Sequence, residues 1–286
     1  MLTYFVLTYV ISWTLWFAAS AIPASGPHGL LILLGTFAPG LVALGLTGRT
    51  AGRAGLGALL HRLIDWNVSV RWYFFAISYI VVIKLIVAVL YRGVAGAWPQ
   101  FGDTPSYLML AATLGSTLVG GQAGEEAGWR GYALPGLAQR FGLGWASIIL
   151  GVLWATWHLP FFFMPDADTF RQSFTLYLLQ VTALSVAFAW LCASVRGSLV
   201  PVMLLHAAVN NTKDIVPSAE VHATNAWALS HSIVGWLTVT LLWLAAGYFL
   251  VRMRRLPALE PATGIVLGDA RPSATRAQQH RDSGGH

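Results

Sequence analysis

Charged side chains are scarce in this chain of 286 residues, where Asp, Glu, Lys and Arg together make up 10% of the sequence. A soluble domain usually carries about 25% charged residues. Hydrophobic residues reach 56% here, and the mean hydropathy is +0.64. The shortage of charge therefore excludes an ordinary soluble domain and predicts an integral membrane protein.

Cysteine is almost absent, because Cys192 is the single cysteine of the chain. A lone cysteine excludes an intrachain disulfide and leaves the redox compartment open. The chain also lacks a His-Glu-x-x-His motif, the signature of one class of zinc proteases. The formal net charge is +6, but the basic residues fall mostly in predicted loops and in the tail. We therefore expect no nucleic-acid partner.

Long apolar runs divide the sequence into spans that can cross a bilayer, which needs roughly 17–25 residues per helix. They predict an all-α, polytopic membrane protein with about eight transmembrane helices. The fourth run fits either one long helix or a span followed by an amphipathic piece that ends near Pro135. The predicted helices cover residues 2–22, 29–47, 71–92, 106–138, 142–164, 172–194, 198–212 and 227–251.

The basic residues of the short loops predict the orientation, because Lys and Arg concentrate on the cytoplasmic side. Eight helices with both termini in the cytoplasm satisfy this pattern, and the first segment is interpreted as a retained helix. Cleavage of that segment would leave seven helices, which the charges also allow. We expect one membrane domain, residues 1–255, and a disordered cytoplasmic tail, residues 256–286, because that tail is rich in Pro, Ala, Ser, Arg and Gln. The arginines on the predicted cytoplasmic side are Arg49, Arg53, Arg62, Arg71, Arg140, Arg196, Arg252, Arg254 and Arg255.

Few polar groups fall deep inside the predicted helices. An ionised side chain at the bilayer centre costs at least ~2.5–3.5 kcal/mol, so each one is a functional-site hypothesis. These groups are therefore candidates for one shared site. The charged ones are Lys84, Glu125, Glu126 and Arg130, and the deep imidazoles are His158 and His206.

The two adjacent glutamates are predicted to have different partners. Glu126 and Arg130 are four residues apart, the favourable spacing for an ion pair on one helical face. Glu125 is rotated about 100° from Glu126 and must face another centre. The small residues beside them predict close packing against another helix. These small residues are Gly120, Gly124 and Gly128.

The deep histidines show the same helical spacing. His206 and Asn210 are four residues apart and share one helical face. Glu125 precedes Gly142 by 17 residues and His158 follows it by 16. A helix hairpin that turns near Gly142 would therefore place Glu125 and His158 at nearly the same depth.

A carboxylate, two imidazoles and a carboxamide suit hydrolysis of an acyl bond. Glu125 beside His158 can activate a water as a general base. His206 and Asn210 can donate hydrogen bonds to the oxyanion that forms on the attacked carbonyl. In the alternative interpretation Glu125, His158 and His206 are zinc ligands, because two His and one Glu with an open position form a catalytic zinc pattern.

The order of these motifs on separate helices resembles the type II CAAX prenyl endopeptidase family, often called CPBP or Abi. The resemblance covers roughly residues 106–212, and Trp154 stands where the family pattern usually has Phe. The motifs that carry it are Glu125-Glu126-x-x-x-Arg130, Trp154-x-x-x-His158 and His206-x-x-x-Asn210.

The resemblance implies an intramembrane endopeptidase with catalytic residues on predicted helices 4, 5 and 7. Glu125 and His158 would activate water, and His206 and Asn210 would form the oxyanion hole. The supporting residues would be Glu126, Arg130 and Trp154. The family has been described both as metalloproteases and as glutamate-type proteases. Because Asn210 is a poor zinc ligand and a good oxyanion donor, we favour a mechanism without a required cofactor, with zinc as the alternative.

The expected partners are the lipid bilayer and a membrane-associated peptide or protein substrate. Two other functions remain open from the sequence. A non-catalytic bacteriocin-immunity or scaffold protein would keep the same fold. An ion-coupled transporter would use the buried acids, lysine and histidines to carry charge, although the His206-Asn210 spacing is better explained by hydrolysis.

Overall fold

The computed structural model describes residues 1–23, 26–217, 225–257 and 259–260, and the regular elements within them are all helices. The predicted all-α fold is confirmed. Nearly all of the predicted tail, 256–286, lies outside the described residues. The described α-helices are α1 (Leu2–Ser20), α2 (His28–Ile64), α3 (Val70–Ala95), α4 (Ser106–Val119), α5 (Gly121–Gly128), α6 (Leu134–Trp157), α7 (Phe174–Ser194), α8 (Val200–Asn211) and α9 (Ile233–Met253).

Several of these helices are long enough and apolar enough to cross a membrane, which makes the chain an integral membrane protein. Among the described residues there are six such spans. Helices α4 and α8 contain 14 and 12 residues and fall short of a full span. The count of eight spans and the cytoplasmic position of both termini stay predictions. The six spans are Leu2–Ser20, His28–Ile64, Val70–Ala95, Gly121–Trp157, Phe174–Ser194 and Ile233–Met253.

The predicted fourth helix, 106–138, is neither one long helix nor a single span followed by an amphipathic piece that ends near Pro135. Gly120 adopts an extended backbone (φ −79°, ψ 174°) and separates α4 from α5. A π-helical turn, Trp129–Ala133, joins α5 to α6, and Pro135 lies in the first turn of α6, where proline is tolerated. The next break is at Gly142, whose positive φ of 73° interrupts α6. The glutamates therefore lie in a short helix just after the Gly120 break.

Helix α5 packs closely against α2, as the small residues beside the glutamates predict. A Cβ atom built on Gly128 would lie 2.5 Å from the main-chain carbonyl carbon of Pro39. One built on Gly124 would lie 2.7 Å from the Phe37 ring. These positions admit no side chain without moving the α2 backbone or its Phe37, so they fix α5 against α2.

Helix α7 lies at the centre of the bundle, with residues buried on every face. A helix that is hydrophobic all round is expected in such a position. It packs against α6 and α9 and also contacts α8. Helix α8 in turn contacts α3, α4 and α5. The packing therefore brings α5, the end of α6 and α8 around a common region of the bundle.

Candidate active site

The charged side chains that are buried in the structure are the same four that fall inside the predicted apolar helices. In the described part of the chain, the charged side chains that are buried belong to Lys84, Glu125, Glu126 and Arg130. Glu126 and Arg130 are 0% exposed, and Lys84 and Glu125 are 5% exposed. Buried charges are tolerated only when they are paired or hydrogen-bonded, so their partners define the site.

Glu126 binds two partners through one carboxylate oxygen. Its Oε1 lies 2.9 Å from Nη1 of Arg130, which confirms the predicted ion pair. The same oxygen lies 2.7 Å from Nδ1 of His206 on α8. The contact with His206 could not be predicted from helical spacing because the two residues are separated by 79 others in the chain.

Aromatic rings enclose the guanidinium of Arg130. Its Cζ atom lies 4.2 Å from the centre of the Trp154 ring and 4.5 Å from that of Phe188. Such cation–π contacts stabilise a desolvated guanidinium by roughly 2 kcal/mol. Phe188 carries no distinguishing signal in the sequence, because it is one of many apolar residues of α7.

Glu125 is held by a different residue. Its Oε2 accepts a hydrogen bond of 2.8 Å from the indole Nε1 of Trp154. The two carboxylates therefore have separate partners, as their rotation on the helix predicts. Trp154, one turn before His158, is the residue directly opposite Glu125.

His158 lies just past the end of α6, half-buried. Its Nδ1 is 2.9 Å from the main-chain oxygen of Trp154. A carbonyl oxygen only accepts, so Nδ1 carries the hydrogen and a neutral ring keeps the acceptor lone pair on Nε2. The Tyr177 ring lies 5.7 Å away in a T-shaped contact. No hydrogen bond joins Glu125 to His158 in the described part of the structure.

His206 is buried beside the glutamates, with its ring centre 5.2 Å from that of Trp154. Its Nδ1 faces the Glu126 carboxylate and therefore carries a hydrogen. Nε2 can then donate a hydrogen bond only when the ring is an imidazolium. In that state two carboxylates, Glu125 and Glu126, are balanced by Arg130 and His206. The buried group is then neutral overall, which limits the cost of burying its four charges.

Asn210 lies one turn after His206 on α8, exposed on the wall of a cavity of about 870 Å³. His158 lines the same cavity, whereas Glu125 and His206 are not among the residues that line it. The predicted site residues thus form two groups, one buried and one on the cavity wall. Trp154 joins them through its contacts with Glu125, His206 and His158.

The zinc alternative can be compared with this geometry. Within the described ranges, no group of three or more His, Cys, Asp or Glu side chains is arranged to hold a metal ion. His206 directs Nδ1 to Glu126, and Glu125 accepts from Trp154. These contacts occupy one ring nitrogen of His206 and one oxygen of Glu125, and the choice between a metal-free mechanism and a zinc site at Glu125, His158 and His206 stays a prediction.

Comparisons with known proteins agree with the class that the site suggests. Residues 105–212 match the family described as "Type II CAAX prenyl endopeptidase Rce1-like". The chain is also 24% identical over 237 residues to CAAX prenyl protease 2 of Methanococcus maripaludis, covering 74% of this chain and 83% of that protein. The predicted resemblance to this family is confirmed, and these similarities support an intramembrane endopeptidase. All the candidate site residues from Glu125 to Asn210 lie in the matched region.

Proposed function

We propose that the protein hydrolyses a peptide bond of a membrane-associated peptide or protein, with Glu125 as the base that activates water. The observation that carries this proposal is the position of Trp154. Its indole donates to Glu125, its main-chain oxygen contacts Nδ1 of His158, and its ring packs against His206. One residue thus connects three side chains that hydrolysis requires.

The first step is the attack of water on the scissile carbonyl. The oxygen of Glu125 that is not bound to Trp154 accepts a proton from the water. Nε2 of His158 accepts the other water hydrogen and orients the nucleophile. The new C–O bond forms as the carbonyl electron pair moves onto the oxygen, which gives a tetrahedral intermediate.

The developing oxyanion receives hydrogen bonds from Asn210 and from the imidazolium of His206. Removing one donor of this kind typically costs roughly 10²–10³ in kcat. The negative charge moves from Glu125 to the substrate oxygen, while His206 keeps its positive charge. The buried group therefore contributes a fixed field at the atom where charge develops, with Glu126 holding His206 in place.

The second step breaks the C–N bond. The electron pair of the oxyanion re-forms the carbonyl, and protonated Glu125 gives its proton to the leaving amine. The products are a carboxylic acid and an amine, and Glu125 returns to its carboxylate form. Glu126 and Arg130 exchange no proton, and we propose no metal in either step.

The test is cleavage of a peptide library by purified protein in lipid. We expect wild-type protein to cleave a subset of peptides, and Glu125→Gln to abolish cleavage while melting at a similar temperature. Asp103→Asn is the matched control, because Asp103 is an exposed acid outside the site. Absence of cleavage by folded wild-type protein, or full activity of Glu125→Gln, would overturn the proposal.

A further inference from the structure

One face of helix α7 forms part of the wall of the cavity that contains His158 and Asn210. Tyr177, Gln180 and Leu184 line the cavity, and their spacing of three and four residues places them on one side of the helix. Tyr177 lies in the first turn of α7. It belongs to none of the motifs from which the site was predicted, and the proposed steps of hydrolysis do not use it.

Two aromatic contacts hold the ring of Tyr177. Its centre lies 5.7 Å from that of the His158 ring and 5.1 Å from that of the Phe162 ring, and both contacts are T-shaped. Phe162 is itself buried. The packing of the ring fixes the direction of the phenol, so the hydroxyl is held in place before a substrate arrives. A phenylalanine at this position would keep both ring contacts and lose only the hydroxyl.

The hydroxyl of Tyr177 is available to a ligand. Among the described residues it has no hydrogen-bond partner, and it is not one of the fully buried polar atoms, so it opens onto the cavity. The carboxylate of Glu125 is near enough to interact with it electrostatically. A phenol is protonated at neutral pH and can donate one hydrogen bond. The cavity therefore has a donor close to both Glu125 and His158.

The oxyanion of the tetrahedral intermediate needs donors that reach the substrate in the cavity. Of the two donors proposed above, Asn210 lines the cavity, whereas His206 is not among the lining residues. Tyr177 lines it from α7 and Asn210 from α8, so these two donors come from different helices. Tyrosine hydroxyls are among the side chains that form oxyanion holes.

We propose that Tyr177 is a further catalytic residue, whose hydroxyl donates a hydrogen bond to the oxyanion while Asn210 donates another. This inference rests on the proposed function. Tyr177 keeps its proton throughout, because the proton of the attacking water passes to Glu125 and then to the leaving amine. The hydrogen bond strengthens as negative charge develops on the substrate oxygen, so it stabilises the transition state more than the bound substrate.

The first experiment compares Tyr177→Phe with wild-type protein on a peptide that wild type cleaves. We expect kcat to fall roughly 10²-fold, with little change in KM and a similar melting temperature. Tyr79→Phe, on α3, is the matched control. The Tyr79 hydroxyl is buried without a partner among the described residues and does not line the cavity, so this variant should keep wild-type kcat.

A second measurement reports binding to the oxyanion without turnover. In a phosphinate analogue of the cleaved peptide, a tetrahedral phosphorus with a negatively charged oxygen replaces the scissile carbonyl. We expect Tyr177→Phe to weaken inhibition by this analogue by about the same factor as it lowers kcat/KM. Tyr79→Phe should bind the analogue as wild type does. A purely structural effect of Tyr177 would not produce this proportionality.

A third substrate separates the oxyanion from the leaving group. In an ester analogue, oxygen replaces the scissile amide nitrogen, so the leaving group depends less on a proton, while the same oxyanion forms. Tyr177→Phe should therefore impair ester and amide cleavage by similar factors. A loss confined to the amide, an unchanged kcat, or a loss of kcat without weaker phosphinate binding would each overturn this inference. The proposed function would survive these results, and it fails only if wild type cleaves nothing.

Discussion

Glu126 has two proposed roles: it neutralises the buried charge of Arg130, and it stabilises the imidazolium of His206 for catalysis. The Glu126→Gln variant is the starting point for separating them. The substitution keeps the size of the side chain and an oxygen that can accept from Arg130 and His206. It removes the negative charge that balances them. Arg130 would then remain fully buried with a positive charge and without the carboxylate.

The size of the effect follows from burial. Removing one partner of a buried ion pair costs about 3–5 kcal/mol, because the other charge is left without compensation. Arg130 and Glu126 are both 0% exposed, so we expect a loss near this range. The corresponding exposed pair, Asp168 and Lys213, is worth at most about 1 kcal/mol. Asp168→Asn is therefore the matched control, and its effect on the free energy of unfolding should be small.

A second variant distinguishes stability from catalysis. In Glu126→Gln/Arg130→Met both charges of the pair are gone, so most of the lost stability should return. Activity should stay low, because His206 has lost the carboxylate that stabilises its imidazolium. The measurements are denaturant unfolding in detergent or lipid and kcat for a cleaved peptide.

Two results would refute this reasoning. Unfolding of Glu126→Gln at the same denaturant concentration as Asp168→Asn would show that the pair contributes little. Recovery of wild-type kcat in the double variant would show that Glu126 serves only to neutralise Arg130. Restored stability with low kcat is the expected outcome.

Three further predictions concern the base, the packing and the metal. Trp154→Phe keeps an aromatic ring but loses the indole hydrogen bond to Glu125, so kcat should fall roughly tenfold with little change in KM. The control is Trp157→Phe, because the indole of Trp157 donates to Ser12 instead; this variant should have lower stability and an unchanged kcat. Equal losses of kcat in the two variants would contradict this prediction. Gly128→Val should destabilise the protein by several kcal/mol because its side chain meets Pro39, whereas Gly115→Ala, with open space around it, should be neutral or stabilising in thermal melts. Treatment with a chelator should leave peptide cleavage unchanged, and loss of cleavage that added zinc restores would contradict the metal-free mechanism.

The sequence predicted those parts of the site that depend on one helix. The buried charges stand out because the chain has so few, and the pairing of Glu126 with Arg130 follows from a spacing of four residues. The contact between Glu126 and His206 depends on how two helices slide and rotate against each other. That arrangement is fixed by packing, such as the approach of Gly128 to Pro39, which spacing alone does not describe.

The hydrogen bond from Trp154 to Glu125 could not be predicted from the sequence either. An aromatic residue at that position predicts packing, and the structure shows in addition a hydrogen bond from its indole to Glu125. The break at Gly120 was missed because the apolar run continues across it. Hydropathy measures the transfer of side chains into lipid and carries no information about a local change in backbone direction.

The pairing of Glu126 with Arg130 has a consequence for the assembly of the protein in the membrane. Both residues belong to one continuous segment, so their charges neutralise each other as soon as this segment becomes helical. His206 follows about 80 residues later and joins Glu126 only after α8 has been made. During synthesis, the Glu126–Arg130 pair can therefore enter the bilayer already neutralised, whereas the charge of Glu125 is balanced only when the later helices bring His206 to the site.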